Sequence, residues 1–381
     1  MEGNTASSRE VRPLAPKSDL ATAQSFNSAR ALAEYHSNNK VGLRYGRDAS
    51  APTQALEAFF EQIYPGFRAL TFSTGMSAIS TAMIAFASPS KRLYLQSETY
   101  RKNRFLAQEL HPMLWDSIAT IDAFSGPLKR DFESDSFFLE APSNPHLKLP
   151  RIEHLSQSAK GDGLVILDTT MAGIGNEKPF LLDAADIVVH SLTKYANGYN
   201  DSFGGLVLVR EGLFGRLWDF RSALGTIMNP ADASNVHTHM KSYQLRFERQ
   251  TNNAESVVKT LTEMVSSGRN IEIYYPGTGN NASQSGLASA ALKSYGSVVS
   301  FVPEAPLEEL EARLNQLRAL RMAPSFGSVD SLFEFPRTMS LANLSDKEVA
   351  DLGIASNLVR VSLGIENEDL LLDDLLTLVG S

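Results

Sequence analysis

Between Arg68 and Val209 the chain repeats one pattern: a short and mostly continuous apolar run, then a polar or small-residue stretch. The runs are Arg68–Phe72, Arg92–Leu95, Phe137–Leu139, Leu164–Leu167, Ile187–Val189 and Leu206–Val209. A strand that is apolar at nearly every position needs cover on both faces, and parallel sheets flanked by helices provide it. The pattern therefore predicts an α/β fold with a mainly parallel sheet. A chain of 381 residues holds one large domain or two and buries a substantial core.

The flanking regions differ from this middle. Residues 1–50 are poor in apolar pattern, are broken by Pro13, Pro16, Asn38 and Asn39, and read as an N-terminal arm. Leu56, Phe59, Phe60 and Ile63 lie on one face of a helix that starts near Pro52 and Thr53. Residues 51–235 are expected to form the larger domain and 236–381 a smaller C-terminal α/β domain. In the latter, helices are expected over Met240–Met264, Pro306–Arg318 and Asn367–Leu378, and strands over Ser297–Val302 and Leu358–Leu363. Tyr274-Tyr-Pro-Gly277 and the residues through Gly286 read as a long loop.

Composition narrows the function classes. A net charge of −8 offers no basic footprint for nucleic acid. The absence of cysteine excludes disulfides, thiolate metal ligands and cysteine nucleophiles. No apolar run approaches the ~20 residues that span a bilayer, so the chain reads as a cytoplasmic protein with no membrane partner. His190, His237 and His239 form no tight ligand spacing, and no metal site is expected.

Three strand ends carry polar groups that make sense together. Ser73-Thr-Gly-Met76 joins a strand to a small-residue helix; such a turn offers free amides and a positive dipole end to a phosphate, and Gly75 permits close approach. Asp168 ends a second run, and Lys194 follows Ile187–Val189 within His190-Ser-Leu-Thr-Lys-Tyr195. A lysine at the end of a buried strand, in a desolvated pocket, loses its proton readily and becomes a nucleophile toward carbonyl carbon. Each feature has a plainer reading: an ordinary helix start, a capping carboxylate, a solvated loop lysine. Together they fit pyridoxal 5'-phosphate, which needs a lysine for its aldehyde, an anion seat for its phosphate and an acid opposite its ring nitrogen.

The same residues resemble a known family, the pyridoxal-phosphate enzymes of cysteine and methionine metabolism. Ala185-Asp-Ile-Val-Val-His-Ser-Leu-Thr-Lys-Tyr-Ala-Asn-Gly198 is similar to that family's cofactor-lysine segment. In order along the chain come Tyr45-Gly-Arg47, Ser73-Thr-Gly-Met76, Glu140-Ala-Pro-Ser-Asn-Pro145, Asp168-Thr-Thr170 and Leu358-Val-Arg-Val-Ser-Leu-Gly-Ile-Glu366. The resemblance covers about Arg44 to Leu370 and implies a fold type I enzyme. It implies that Lys194 is the Schiff-base lysine and proton shuttle, with Tyr100 stacking on the ring as the second catalytic residue. It places Asp168 at the ring nitrogen with Thr170 nearby, and Gly75, Met76, Ser191 and Thr193 at the phosphate. Tyr45 and Arg47 would reach the phosphate of a neighbouring subunit, in a homo-oligomer that is usually a tetramer built from dimers. Arg360, assisted by Asn144 and Ser325, would take the α-carboxylate of an amino-acid substrate.

Some positions depart from the family pattern. Arg101, Lys102 and Asn103 follow Tyr100 where two glycines and a threonine are usual. The spacing from Arg47 to Pro52 is one residue longer, Gly198-Tyr-Asn-Asp201 replaces Gly-His-Ser-Asp, and Pro324 precedes Ser325 where cystathionine-handling members carry an acid. These changes point to an unusual substrate in a specialised biosynthesis. The reaction implied is γ-replacement on an amino acid with a leaving group at its γ-carbon, through a vinylglycine-type intermediate. A β- or γ-lyase giving a keto acid and ammonia uses the same residues, and a non-catalytic binding relative is the reading from another class.

Overall fold

The computed structural model describes residues 20–37, 43–128, 134–155 and 163–380. Two sheets organise them. The first has seven strands: β1 (Arg68–Phe72), β2 (Ser88–Gln96), β3 (Trp115–Ile121), β4 (Ser136–Glu140), β5 (Val165–Asp168), β6 (Ile187–Ser191) and β7 (Gly205–Val209). Their order across the sheet is β1-β7-β6-β5-β4-β2-β3. All pairings are parallel except the two that β7 makes, with β1 and with β6. Six of the seven carboxyl ends therefore lie along one edge, where open α/β sheets bind ligands.

The six predicted apolar runs form all of these strands except β3, and β4 and β7 are buried at every position. Burying each Val, Leu or Phe there contributes about 1.5–3 kcal/mol. One face packs on the helix Gly75–Phe86 through Ala78, Ala82 and Met83, the other on Leu56 and Phe60 of the helix Ala51–Ile63. That second helix begins as expected, with Ser50 and Thr53 forming a reciprocal cap around Pro52. Within the arm a helix occupies Ala29–Ser37, and Ala23 bridges to Tyr45.

The second sheet contains β8 (Glu272–Tyr275), β9 (Thr278–Gly279), β10 (Val298–Val302), β11 (Arg321–Met322), β12 (Leu332–Glu334) and β13 (Val359–Ser362), in the order β11-β12-β13-β10-β8-β9. The helix Tyr243–Ser266 and the terminal helix Glu368–Val379 cover it through Val257, Leu261, Leu371 and Leu375. Tyr274-Tyr-Pro-Gly277 is not all loop, as the sequence suggested. Tyr274 and Tyr275 end β8, and Pro276 and Gly277 turn the chain so that Tyr275 pairs with Thr278. Among the described residues, no helix is long and apolar enough to cross a membrane.

Candidate active site

A cavity of about 640 Å³ opens at the carboxyl ends of β4, β5 and β6 and is closed from the far side by the second sheet. Gly75, Met76, Tyr100, Asn144, Asp168, Thr170, Ser191, Thr193, Lys194, Ser325 and Arg360 all line it. The structure thus brings together eleven of the thirteen residues singled out from the sequence. Tyr45 and Arg47 lie elsewhere: the Arg47 guanidinium sits 5.3 Å from the centre of the half-exposed Tyr45 ring.

One wall is built of backbone and small side chains. Thr74 caps the helix Gly75–Phe86; its hydroxyl accepts the Ser77 amide at 2.9 Å, and the Ser77 hydroxyl accepts the Thr74 amide at 2.9 Å. The Gly75 and Met76 amides, which have no partner within the helix, lie at this wall. A Cβ on Gly75 would stand 2.8 Å from the Ser191 Cβ, so only glycine leaves this approach open. Thr193 is already engaged. Its hydroxyl donates to the Gly204 carbonyl at 3.3 Å and accepts the Gly204 amide at 3.1 Å. This wall suits a phosphate.

The floor holds two carboxyl groups from adjacent strands, since Glu140 is the register partner of Asp168. Asp168 accepts the Thr170 amide at 2.9 Å, and the Thr170 hydroxyl accepts the Ser191 amide at 2.8 Å. Burial raises the Asp168 carboxyl, against the opposing pull of Thr170 and of charge on His190. Glu140 is pushed up to about 8, by burial first and then by Asp168. The Thr99 hydroxyl, Tyr100 amide and Asn103 amide donate to its Oε1 at 2.5, 2.6 and 3.1 Å and pull the other way. Glu140 therefore fixes the segment that carries Tyr100. Behind Asp168, His190 Nε2 lies 3.0 Å from both Glu177 and the Tyr64 hydroxyl.

The opposite wall is ionic. The Lys194 Nζ donates to the Ser325 hydroxyl at 2.7 Å and lies 4.9 Å from the centre of the Phe326 ring. Burial, and then the Arg360 guanidinium, lower Lys194 to about 8, while Glu334 opposes them. Arg360 is 4% exposed and donates through Nη1 to Asn144 at 2.9 Å and through Nη2 to the Ser325 carbonyl at 3.1 Å. Its Nη1 also pairs with Glu334 at 3.0 Å, directly across from it on β12. Its Nε has no hydrogen-bond partner among the described residues. Ser325 adopts φ 105°, a region costly for any residue but glycine, and so turns its hydroxyl to Lys194 and its carbonyl to Arg360.

The sequence reading assigned no role to Glu140, Glu334 or Phe326. Glu140 ends a buried apolar run, the same signal that marked Asp168, and was findable. Glu334 sits on a three-residue strand and becomes visible only through its register with Arg360.

The arrangement offers an amine that deprotonates near neutrality, a buried guanidinium with a free N–H, a carboxylate and an anion seat. Residues 6–378 match the family described as Cys/Met metabolism PLP-dependent enzyme. The chain is 30% identical over 347 residues to cystathionine gamma-synthase 1, chloroplastic, of Arabidopsis thaliana, covering 90% of this chain and 61% of that protein. It thus spans less than two thirds of that relative's length. It is also 30% identical over 360 residues to an L-methionine gamma-lyase of Fusobacterium nucleatum subsp. polymorphum, covering 91% and 89%. Among solved structures, cystathionine gamma synthase from Xanthomonas oryzae pv. oryzae, in complex with aminoacrylate and cysteine, superposes with a TM-score of 0.83 at 27% identity. That match covers 95% of this chain and 91% of the other.

Proposed function

The chain belongs to the Cys/Met metabolism PLP-dependent enzymes, whose members of both kinds named above are transferases or carbon–sulfur lyases, and we propose that it performs γ-replacement on a γ-activated amino acid such as a homoserine ester. The observation that carries this reading is the Lys194–Ser325–Arg360 chain of hydrogen bonds in the cavity that Asp168 also lines. It sets an amine beside a carboxylate receptor, as work at the α-carbon of an amino acid requires.

The residues suit the cofactor. Gly75, Met76 and Ser191 would seat its phosphate, with Thr193 positioning the Gly204 backbone behind them. Asp168 would face the ring nitrogen, Thr170 would hold the Ser191 strand end, and Tyr100 would cover the ring. When bound, pyridoxal phosphate supplies a carbonyl for amines and a sink for the electrons of the α-carbon. Arg360 would bind the α-carboxylate through its unpaired Nε, with Asn144 and Glu334 fixing the guanidinium. Lys194, half-neutral near pH 8, would take the α-proton at Nζ, pass it on so that Nζ is free to take a β-proton as the substituent leaves the γ-carbon, and return a proton to each carbon once the nucleophile has bonded to the γ-carbon. Ser325 would hold Nζ within reach.

A second cavity shares Arg101 and Asn144 with the first and offers room for a second reactant or for the departing substituent. A cytoplasmic homotetramer belongs to the same reading, with Tyr45 and Arg47 serving a neighbour, and residues 51–235 and 236–381 acting as cofactor and C-terminal domains. Sedimentation tests the assembly.

Product analysis by mass spectrometry tests the reaction. Cofactor-loaded protein is mixed with homoserine esters, with and without a thiol. A new amino acid formed only with the thiol is the expected result. A keto acid and ammonia regardless of thiol would establish the lyase instead. No product from protein that holds its cofactor on Lys194 would overturn the proposed substrates and leave the cofactor role standing.

A further inference from the structure

Behind the first sheet lies a buried polar cluster that the proposed reaction does not use. Tyr64, Thr169, Glu177 and His190 form it, and none is more than 2% exposed. None of the four lines the cofactor cavity. Side chains along a strand alternate between its faces. Asp168, Thr170 and Ser191 turn to the cavity, so Thr169 and His190, each one residue along, turn to the other face. There they meet Glu177 and Tyr64, which follows the helix Ala51–Ile63.

Counting protons fixes how the cluster is wired. Glu177 accepts the Thr169 hydroxyl at Oε1, 2.5 Å away, and the Tyr64 hydroxyl at Oε2, 3.0 Å away. The Tyr64 oxygen accepts the Gly175 amide at 2.6 Å in turn. Each hydroxyl has one proton, and both are spent on Glu177. His190 Nε2 faces only oxygens: Glu177 Oε1 and the Tyr64 hydroxyl at 3.0 Å, and the Thr169 hydroxyl at 3.1 Å. Nε2 therefore carries a hydrogen and donates it, and Glu177 is the anion it meets. Burial works against charge on Glu177, yet its carboxyl lies below the usual range, held there by His190 and then by Thr169.

The cluster joins the two strand ends that serve the cofactor site. Thr169 and His190 tie β5 to β6 on the far face, as the Thr170 hydroxyl and the Ser191 amide tie them on the cavity face at 2.8 Å. It also acts through charge. Burial raises the Asp168 carboxyl, while Thr170 and then charge on His190 pull it down. A buried carboxylate with no opposing charge takes up a proton and stops being an anion. Resting on the placement of Asp168 at the ring nitrogen, we propose that His190 is a positioning residue for Asp168: Glu177 keeps the imidazole charged behind the sheet, and that charge keeps Asp168 an anion toward the cofactor. Glu177 thus acts on the cofactor through His190 without touching it. What the assembly selects is a ring that carries a protonated nitrogen opposite Asp168.

The test compares two cofactors on the full-length protein freed of cofactor: pyridoxal 5'-phosphate and its 1-deaza analogue, in which C–H replaces the ring nitrogen. Both affinities are read by titration, with no substrate present. The parent is expected to prefer pyridoxal phosphate. Glu177→Gln keeps an acceptor for the hydroxyls but removes the charge, and it is expected to lose roughly tenfold of that preference. Tyr64→Phe removes a hydroxyl and no charge, so it should lower stability and keep the preference. In the Asp168→Asn background, Glu177→Gln should change the preference no further. A preference unchanged in Glu177→Gln overturns the proposal, whether both cofactors bind as before or weaken together; the second result is what a merely structural cluster would give. If Glu177→Gln fails to fold, His190→Gln, which offers Glu177 a neutral amide donor, is read against the same outcomes. A parent with no preference overturns the placement of Asp168 itself, and the inference with it.

Discussion

The two walls of the cavity are made in opposite ways. The phosphate wall uses what the first sheet supplies without side-chain charge: strand ends, a capped helix start, Gly75 and Ser191. The carboxylate wall, from the second sheet, buries a full ion pair, Arg360 with Glu334, at 4% and 1% exposure and stretches Ser325 to φ 105° between Arg360 and Lys194. One wall is cheap and rigid. The other costs desolvation and strain, which the fold maintains because the pair is hydrogen-bonded on both sides, to Asn144 and to Ser340, whose hydroxyl donates to Glu334 at 2.7 Å.

Lys194 joins the walls, and removing it should have the largest effect. Lys194→Ala is expected to abolish the covalent visible chromophore and to lower turnover by roughly 10³-fold or more, with the fold retained. An active variant still carrying covalent cofactor would break the assignment of both walls at once.

The ionic wall should then fail in stability as well as in binding. Arg360→Met leaves Glu334 buried and unpaired and is expected to cost about 3–5 kcal/mol in denaturant unfolding. Adding Glu334→Leu should recover most of that stability while substrate binding stays lost. If the single variant unfolds like the parent, Glu334 is not the burden that its burial implies.

The same contrast explains what was legible. Asp168, Lys194 and the Gly75 turn could be read because each follows a continuous apolar run, and the run itself announces a strand covered on both faces. β3 was missed because Trp115-Asp-Ser-Ile-Ala-Thr-Ile121 is no continuous apolar run: it lies at the sheet edge, where only Trp115 is buried. Glu334 and the Ser325 backbone were not legible at all. They depend on which residue of β12 faces which of β13, and no local periodicity encodes a three-residue pairing. The resemblance supplied Arg360, Asn144 and Ser325, but the ion pair that neutralises Arg360 emerged only from register.

The phosphate wall makes a smaller, purely steric prediction. Gly75→Ala places a methyl 2.8 Å from the Ser191 Cβ and 2.9 Å from its Oγ. Overpacking of this kind costs about 1–3 kcal/mol, here expected mainly as roughly tenfold weaker cofactor binding, measured by titrating cofactor-free protein. Combining it with Ser191→Gly removes the atoms in the way and should restore part of the affinity. No restoration would mean that the Ser191 hydroxyl, rather than the space beside Gly75, governs this wall.

The smallest effect is a shift in pH. Only the neutral amine attacks carbonyl carbon, so the rate at which cofactor-free protein captures the cofactor should rise with pH through about 8, not through the ordinary 10.5. Burial is the main cause and Arg360 the next, with Glu334 holding the value up. Glu334→Gln should therefore move the midpoint below that of the parent. The sign in stability is the reverse of the usual lysine pair: the folded state sheds its proton first, so burying Lys194 is a penalty below about pH 8 that is relieved as pH climbs toward 10.5. A midpoint that stays put in Glu334→Gln would show that Glu334 does not hold the value up and that burial and Arg360 set it without opposition.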